Sequence, residues 1–270
     1  MKKLLGLLFG ALILLSACSG TETDEQGTKL QEIKDAGKIV IGTNSGYPPY
    51  EFFDTRDGKK ELVGYDIDLG NKIAQELGVE VEWKDMEFDA LIPSLQSGQI
   101  DIVLAGMVAT DKRREVVDFS QAYFESQTVA VAMKDKVENL NSAEKLNGKK
   151  IVVQTGTTQA DAAEEVAGAQ VILLPGVSDT IASITTGQAD VLFIAEVSAK
   201  NIVSKYPELA YSKIEGINDT LLFDGASAAI PKGQGALKAE IDKIIQSLKD
   251  SGELDEMFNK NVELWDKINK

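Results

Sequence analysis

The chain of 270 residues contains no histidine and only one cysteine, Cys18. The absence of histidine excludes the usual zinc sites and both serine–histidine and cysteine–histidine catalysis. A disulfide within the chain is also excluded, because it requires two cysteines. We therefore predict no metal site, no cofactor and no catalytic residue.

Positive charge is scarce relative to negative charge. The chain has 28 lysines and arginines against 43 aspartates and glutamates, which gives a net charge of −15. A protein that binds nucleic acid needs a basic surface to neutralise phosphates, and the sequence contains no basic stripe. We expect no nucleic-acid partner and no flat association with an anionic membrane.

Long apolar runs are limited to one near the N-terminus. Lys2 and Lys3 precede the run Leu4–Leu15, which has the length of a signal-peptide core and is short for a membrane span. The segment Leu15–Cys18 (LSAC) resembles the bacterial lipobox. The resemblance implies a signal peptide over 1–17, cleavage before Cys18 and a diacylglycerol thioether on its sulfur. The alternative is an ordinary signal peptide followed by a chance cysteine.

The segment after Cys18 is polar and acidic (SGTETDEQGT) and contains nothing that could pack in a core. We interpret 18–28 as the lipidated cysteine and a flexible tether. A diacyl group is sufficient for stable anchoring to a bilayer. The predicted location is therefore the outer face of the cytoplasmic membrane, with the lipid bilayer as a partner through Cys18.

Segments typical of strands alternate with segments typical of helices along the rest of the chain. The helices are predicted from apolar residues at helical spacing, and the strands from short apolar or alternating runs. The predicted elements are strand 38–43, helix 65–77, strand 79–83, helix 88–97, strand 101–105, strand 150–154, a helix from about Thr158, strand 171–174, helix 179–186, strand 190–194, a helix from about Glu196 and a helical C-terminus. This alternation predicts an α/β fold.

One pattern occurs twice, as Ser94–Asp101 (SLQSGQID) and Ser183–Asp190 (SITTGQAD). Each copy combines a helix end, a glycine and a turn before an apolar strand, although such junctions also resemble one another in unrelated proteins. We interpret the repeat as two lobes of about a hundred residues each. Ligands of α/β sheets bind beyond the carboxyl ends of the strands. Those ends are Thr43-Asn44, Ala105-Gly106, Gln154-Thr155 and Ile194-Ala195-Glu196.

Several motifs occur together between Ile39 and Phe258. They are GYDIDL at 64–69, YPPY at 47–50, FDALIPSL at 88–95, TDKR at 110–113 and DFS at 118–120. In this order they resemble the family 3 solute-binding proteins, the polar-amino-acid receptors of ABC importers. The resemblance implies a type II periplasmic-binding-protein fold, with an ABC permease and its ATPase as partners.

The family resemblance also implies the domain organisation. Lobe 1 is expected to comprise 29–125 and 225–270, and lobe 2 to comprise 128–221. Two crossing strands, near 125–128 and 221–226, are expected to form the hinge.

An amino acid requires a cationic fork for its carboxylate, an anion for its ammonium and walls for its side chain. By its place in the matching motif, Arg113 would bind the α-carboxylate in a bidentate manner. Without the motif, Arg113 would be interpreted as a surface helix residue paired with Glu115. The backbone N–H groups of Val108 and Thr158 would complete the carboxylate pocket, because Gly156–Gln159 opens a helix.

The remaining site residues follow from the family positions and the strand ends. The rings of Tyr47 and Phe88 match positions that enclose the ligand side chain. Asn44 and Gly106 follow two strand ends, and Asn44 could serve an amide as well as a cation. Thr157 is expected either to contact the ligand or to serve only as a helix N-cap. Val108 replaces a residue that is serine or threonine in many members, so only its backbone donor remains.

The partner of the ligand ammonium is less well defined. Family members place an acid after the strand that follows the second Gly-x-x-Asp turn, and counting leads to Ala195, one residue before Glu196. We predict that Glu196 takes this role through a one-residue shift. The alternative is that Glu196 begins the next helix in solvent.

The ligand is expected to be a basic or amide amino acid, with arginine the first choice. A basic side chain would need a second acid near Asn44, Glu51 or Glu125. A rival function is a dehydratase acting on a small carboxylic acid, with Glu196 or Glu125 as the general acid. A surface adhesin or a sensor domain is a third possibility. We predict a binding protein rather than an enzyme.

Overall fold

The computed structural model describes residues 28–56 and 58–269. The predicted signal peptide, Cys18 and all of the tether except Thr28 lie outside the described residues. Within those residues, no helix is both long and apolar enough to cross a bilayer.

Strands and helices alternate through most of the described chain. The strands are β1 (Lys38–Thr43), β2 (Phe52–Asp54), β3 (Glu61–Val63), β4 (Glu80–Asp85), β5 (Ile102–Val103), β6 (Val117–Met133), β7 (Lys150–Gln154), β8 (Gln170–Leu174), β9 (Val191–Ala195), β10 (Leu209–Lys213) and β11 (Phe223–Pro231). The helices are α1 (Lys29–Ala36), α2 (Tyr65–Leu77), α3 (Leu91–Gln96), α4 (Asp111–Arg114), α5 (Ala143–Leu146), α6 (Thr158–Glu164), α7 (Val177–Thr185), α8 (Glu196–Lys205), α9 (Asp219–Leu222), α10 (Gly235–Ser251) and α11 (Glu253–Ile268). Short 3-10 helices cover Phe88–Ala90 and Val137–Asn139.

One long strand, β6, connects two groups of strands. The sheet order is β4-β1-β5-β11-β6-β9-β7-β8, with β10 also paired to β6 and a separate β2-β3 hairpin. Residues 117–127 of β6 pair with β11, and residues 128–131 pair with β9. We call the group β4, β1, β5 and β11 with its helices lobe 1, and the group β9, β7, β8 and β10 with its helices lobe 2. The predicted α/β class and two-lobed type II fold are confirmed.

The core of lobe 1 covers both faces of its sheet. Alternate residues of β1 point to opposite sides, so Ile39 and Ile41 pack with helices α2 and α10, whereas Val40 packs on the α3 side. Ile39 and Ile41 are fully buried. Burying each such side chain contributes about 1.5–3 kcal/mol, which explains why β1 is apolar throughout its centre.

The core of lobe 2 is divided in the same way. Ile151 and Val153 of β7 pack on the side of α6, and Val152 packs on the side of α7 and α8. Strands β7, β8 and β9 run parallel, so their carboxyl ends lie at one edge of the sheet. The predicted strands 150–154, 171–174 and 190–194 match these strands to within one residue at each end.

Three predicted segments differ from the structure in extent. The predicted helix 88–97 is divided into a 3-10 turn and helix α3. Pro93 is tolerated in the first turn of α3, because its missing N–H removes no helical hydrogen bond there. The predicted strand 101–105 is reduced to the two residues of β5, since the chain turns into the interlobe space at Gly106, which has a φ of +56°. The second crossing strand begins at Phe223 rather than near 221, because 219–222 form the helical turn α9.

Helix α11 contacts both lobes. The indole Nε1 of Trp265 donates a hydrogen bond to the carbonyl oxygen of Asn201 in α8 at 3.2 Å. The ring of Trp265 also packs edge-on against Phe52, with ring centroids 5.3 Å apart. Close to the other end of the helix, Leu254 is part of the lobe 1 core. The C-terminal helix therefore braces α8 against lobe 1.

The loop before Glu51 is attached to the start of α2. The N–H of Tyr65 donates to the carbonyl of Pro49, and the N–H of Asp66 donates to the carbonyl of Tyr50, both at 2.9 Å. Gly64 permits this approach, because it has a φ of +142° and a Cβ there would lie 2.0 Å from the Tyr50 oxygen. The loop that contains Tyr47 and Glu51 therefore depends on the absence of a side chain at residue 64.

Gly64→Ala is expected to lower the free energy of unfolding by about 3 kcal/mol, because it adds both backbone strain and a direct clash. Gly98→Ala is the matched control, since Gly98 also has a positive φ but has open space around its Cβ position. The control should lose only about 1 kcal/mol. Urea denaturation measures both, and equal losses would show that the contact with Tyr50 is unimportant.

Candidate functional site

A cleft lies between the two lobes, with about 500 Å³ of empty space that includes part of its opening to solvent. Strands of both lobes reach the cleft with their carboxyl ends. Asn44 follows β1, Gly106 follows β5, Gln154 ends β7 and Ile194 lies near the end of β9, and all four residues line the cleft. This is the edge of an α/β sheet at which ligands bind.

Most of the site residues predicted from the sequence line this cleft. They are Asn44, Tyr47, Phe88, Gly106, Val108, Arg113, Thr157 and Thr158. The residues come from distant parts of the chain and from both lobes, so only the folded arrangement brings them together. Their roles toward a ligand remain predictions.

Arg113 lies in the short helix α4, whose N-cap is Thr110. The side chain of Thr110 accepts a hydrogen bond from the N–H of Arg113, which anchors the start of the helix. The guanidinium donates to the carbonyl of Val108 at 2.6 Å and to the carbonyl of Gly156, in lobe 2, at 2.9 Å. Its central carbon lies 5.4 Å from the ring centre of Phe88. These contacts hold the guanidinium in the cleft between the lobes.

The start of helix α6 faces the cleft from lobe 2. Thr157 is the N-cap, because its side chain accepts from the N–H of Ala160. The same hydroxyl donates to the carbonyl of Gln154 at 2.8 Å. Thr157 therefore serves as a helix N-cap, which is one of the two roles expected from the sequence. It also lines the cleft. Thr158, the first residue of α6, is buried beside it.

The lobes touch each other across the cleft, so the structure is closed. Gln154 Nε2 in lobe 2 donates to Asn44 Oδ1 in lobe 1 at 2.7 Å. A second contact lies near Gly156, where an added Cβ would come within 3.2 Å of Asp89 Cβ. Asn44 itself is oriented by a 2.7 Å hydrogen bond from its Nδ2 to the carbonyl of Met86. Gln154 was not among the predicted site residues, because its role depends on how the lobes face each other.

The walls of the cleft are largely apolar and aromatic. Tyr47 stacks on Tyr50 with ring centroids 5.2 Å apart, and Tyr47 packs against the cores of both lobes. Lobe 2 adds Val177, Leu192 and Phe193 to the lining. These residues were missed by the sequence analysis, since apolar strand and helix residues do not reveal whether they face a core or a cavity. Such walls suit the methylene portion of a long ligand side chain.

Two carboxyl groups lie together at the lobe 1 side of the cleft. Glu51 lines the cleft, and the carboxyl of Asp66 accepts a hydrogen bond at 2.7 Å from the N–H of Gly106, another residue of the lining. Both residues are buried, at 1% and 0% exposure. Asp66 was not predicted as part of the site, although a signal exists. It lies three and seven residues before the buried residues Leu69 and Ile73 of α2, so its position on the apolar face of the helix indicates burial.

The pKa of each carboxyl is raised. Burial raises the pKa of Asp66 to about 7, although hydrogen bonds from the Gly106 N–H and from the side chains of Tyr123 and Glu51 act in the opposite direction. Burial, followed by the negative charges of Asp66 and Asp85, raises the pKa of Glu51 well above its usual range. The folded protein therefore retains protons here that an exposed carboxyl would lose.

Glu196 is the predicted site residue that the structure does not bring into the lining of the cleft. Strand β9 ends at Ala195, and α8 begins at Glu196 itself. Its carboxylate lies 3.0 Å from Lys200 Nζ, one helical turn away. The structure thus corresponds to the alternative in which Glu196 opens the next helix. The reason is local, because a glutamate followed four residues later by lysine stabilises the start of a helix.

Glu125 lies outside the lining of the cleft and is exposed on β6. Of the three positions considered for a second acid, Asn44 and Glu51 reach the cleft. In the described part of the chain, no group of three or more histidine, cysteine, aspartate or glutamate side chains could hold a metal ion.

Comparison with known proteins agrees with this geometry. Residues 39–263 match the model of the bacterial extracellular solute-binding proteins, family 3. A probable histidine-binding protein of Campylobacter jejuni is 32% identical over 96% of this chain and 98% of its own length.

Solved structures of amino-acid-binding proteins are also similar to this chain. An amino acid ABC transporter substrate-binding protein of Streptococcus pneumoniae, bound to L-arginine, is 34% identical and covers 89% of this chain and 100% of its own, with a TM-score of 0.84. An ancestral amino acid-binding protein, described as a precursor of cyclohexadienyl dehydratase, is 30% identical over 86% of this chain and 99% of its own, with a TM-score of 0.77.

The raised pKa values predict how stability varies with pH. Between about pH 5 and pH 7, the folded protein keeps protons on Glu51 and Asp66 that the unfolded chain has lost, since unfolded carboxyls titrate near pH 4. The free energy of unfolding of the ligand-free protein should therefore fall as pH rises through this window, by about 1–3 kcal/mol. Urea denaturation at several pH values measures it.

Asp66→Asn should flatten this slope, because it removes one of the two coupled carboxyls. Asp54→Asn is the control, since ion pairing with Arg56 lowers the pKa of Asp54 to about 2, well below the window. The chain has no histidine that could titrate between pH 5 and pH 7. A stability that rises through the window would contradict the assignment.

Proposed function

The chain belongs to the bacterial extracellular solute-binding proteins of family 3, and on that premise we propose that it is the substrate-binding lipoprotein of an ABC importer. It captures a polar amino acid, basic or amide, in the interlobe cleft and delivers it to a membrane permease whose ATPase drives import. Arginine is the first choice of ligand. The observation that carries the proposal is the placement of the Arg113 guanidinium and the Glu51 carboxyl in one cleft with aromatic walls.

Arg113 is the carboxylate-binding group. Its guanidinium donates to the carbonyl oxygens of Val108 and Gly156, and these two hydrogen bonds orient the fork. The planar fork matches a carboxylate, and the bidentate pair is among the stronger charge-assisted hydrogen bonds. Helix α6 begins at Thr158 on the opposite side of the cleft, and the positive end of its backbone favours the same anion.

The remainder of the cleft selects the ligand side chain. Tyr47, Phe88 and Leu192 supply apolar surface for a methylene stem, and Asn44 supplies an oriented amide near it. A stem that ends in a polar group fits this combination better than a short or fully apolar side chain. The arginine bound to the pneumococcal relative supports arginine as the first candidate.

Capture is coupled to closure of the lobes. We place the boundaries of lobe 1 at 29–125 and 225–270 and those of lobe 2 at 128–221, with the two crossing strands between them as the hinge. The ligand binds one lobe first, and closure then adds the hydrogen bonds Gln154–Asn44 and Arg113–Gly156 and excludes water. The closed form is the state that docks on the permease.

The contacts available in this site are sufficient for micromolar affinity. It corresponds to about 8 kcal/mol of net binding free energy. Charge-assisted hydrogen bonds contribute about 1.5–3 kcal/mol each, and ordering of the ligand subtracts part of the sum. A few such bonds to Arg113, Glu51 and the backbone at α6 supply the required scale.

Arg113→Ala is expected to abolish ligand-induced thermal stabilisation. In a thermal-shift screen against the twenty amino acids, ornithine and citrulline, the wild type should be stabilised by one or two ligands, since stabilisation follows RT ln(1 + [L]/Kd). Loss of the bidentate pair should raise Kd about 100-fold. Arg114→Ala is the matched control, because this neighbouring arginine is exposed and does not line the cleft.

Two outcomes would contradict the proposal. The first is the absence of any shift in folded, ligand-free protein, which would exclude amino-acid capture. The second is conversion of a bound carboxylic acid, detected by mass spectrometry of the released ligand. That result would favour the dehydratase alternative, which the ancestral relative makes relevant.

Cys18→Ser is expected to release the protein from the membrane. The single cysteine of the chain follows a lipobox-like segment, and a diacyl thioether there would supply the anchor. Labelled palmitate should enter the wild type and not the variant, and membrane fractionation should show the variant in the soluble fraction. Lipid incorporation that persists in Cys18→Ser would refute the site of attachment.

A further inference from the structure

Glu51 is unusual among the groups that line the cleft. Of the described residues in the lining, it is the only acid, and its side chain is 1% exposed. Its backbone is fixed as well, since its carbonyl oxygen accepts hydrogen bonds from the N–H groups of Gly46 at 3.0 Å and Tyr47 at 2.8 Å. A buried carboxyl on a rigid loop is a costly feature unless it has a partner.

Behind Glu51 lies the carboxyl of Asp66, whose two oxygens have different surroundings. Oδ2 accepts from the Gly106 N–H at 2.7 Å and from the Tyr123 hydroxyl at 2.8 Å. Oδ1 is buried without a donor, and so is Oε2 of Glu51. One proton held between the two carboxyls would give each of these buried oxygens a hydrogen-bond partner.

The charged and titratable groups around this pair favour a retained proton. They are Tyr65 from α2, Tyr123 from β6, Asp85 from the end of β4, Tyr50 from the same loop and Arg113, which also lines the cleft. Asp85 and Asp66 add negative charge, and burial raises the pKa of both carboxyls. Arg113, the one cation among these groups, donates to carbonyl oxygens.

Other acids are poorly placed to receive a ligand cation. Strand β9 ends at Ala195, the carboxylate of Glu196 pairs with Lys200, and Glu125 is exposed on β6. If Arg113 binds the carboxylate of the ligand, Glu51 is the acid in the described lining that is available to its cationic group.

We propose that Glu51 is the contact for the cationic group of the ligand, and that ligand entry releases the proton which Glu51 shares with Asp66. This inference rests on the proposed function, because it requires a cationic ligand in the cleft. On binding, the O–H bond of the carboxyl pair breaks, the proton passes to solvent, and the ligand cation takes its place beside the ionised Glu51. Capture is then a cation-for-proton exchange, and affinity depends on pH.

The dependence has a definite sign. At low pH the ligand must expel a proton from the pair, whereas at high pH the pair is already ionised. Affinity for L-arginine should therefore rise about tenfold between pH 5.5 and pH 7.5, with release of up to about one proton per ligand. Neither the carboxylate nor the cationic groups of arginine titrate in this range, and the chain has no histidine.

Isothermal titration calorimetry tests the exchange. The full chain in mild detergent is titrated with L-arginine in cacodylate and in Bis-Tris, two buffers with different ionisation enthalpies, at pH 5.5, 6.5 and 7.5. The difference in apparent binding enthalpy between the buffers gives the number of protons released.

Three variants separate the roles of the two carboxyls. Glu51→Gln should weaken binding about 30-fold at pH 7.5 and bring proton release close to zero. Asp66→Asn should retain binding and lose proton release, because an amide can donate to Glu51 and keep it ionised at all three pH values. Glu80→Gln, an exposed glutamate on β4, should behave as the wild type. Circular dichroism checks that each variant is folded.

Arginine binding without proton release, at an affinity that does not change with pH, would overturn the exchange and leave the proposed function intact. Unaltered binding by folded Glu51→Gln would exclude Glu51 as the contact. Failure of every amino acid to bind at any pH would overturn the proposed function, and this inference with it.

Discussion

The two-lobed structure depends on the pairing of strand β6. A single strand of 17 residues hydrogen-bonds with β11 along its first part and with β9 and β10 along its second part. The change of partner occurs between Gln127, which faces Phe223, and Thr128, which faces Ala195. Because the backbone hydrogen bonds are kept on both sides of this point, the two groups of strands are held in register by one continuous strand. The position of each lobe's strands relative to the cleft depends on this continuous strand.

Across the cleft, two hydrogen bonds join the lobes beside the packing of Tyr47 against both cores. Gln154 donates to Asn44, and Arg113 donates to Gly156, so each lobe contributes one donor. Hydrogen bonds of this kind contribute about 1 kcal/mol each in net terms, and a little more when a charge is involved. Two such hydrogen bonds therefore add only a small stabilisation to the closed arrangement. The aromatic walls formed by Tyr47 and Phe88 remain available to a ligand side chain.

Glu51 and Asp66 are the only acidic residues among the buried side chains of the described chain. Hydrogen bonds from Gly106 and Tyr123 offset part of the cost of burying Asp66. Buried carboxyls that lower stability are typical of functional sites, where other interactions of the fold compensate for their cost. The absence of histidine means that this pair is the principal source of a pH response near neutrality in the described structure.

The sequence by itself determined the alternation of elements, the two lobes and most of the cleft. Ile39 and Ile41 reveal β1 through their apolar spacing, and the motif around Arg113 identifies its family position, because both signals are local. Only the tertiary structure decided that Gln154 meets Asn44, that Asp66 lies behind Glu51, and that Glu196 pairs with Lys200 away from the cleft. The physical reason is that these outcomes depend on how distant segments face one another and on where a helix begins within a turn. The spacing of residues along the chain does not indicate which distant segments face each other or at which residue of a turn a helix begins.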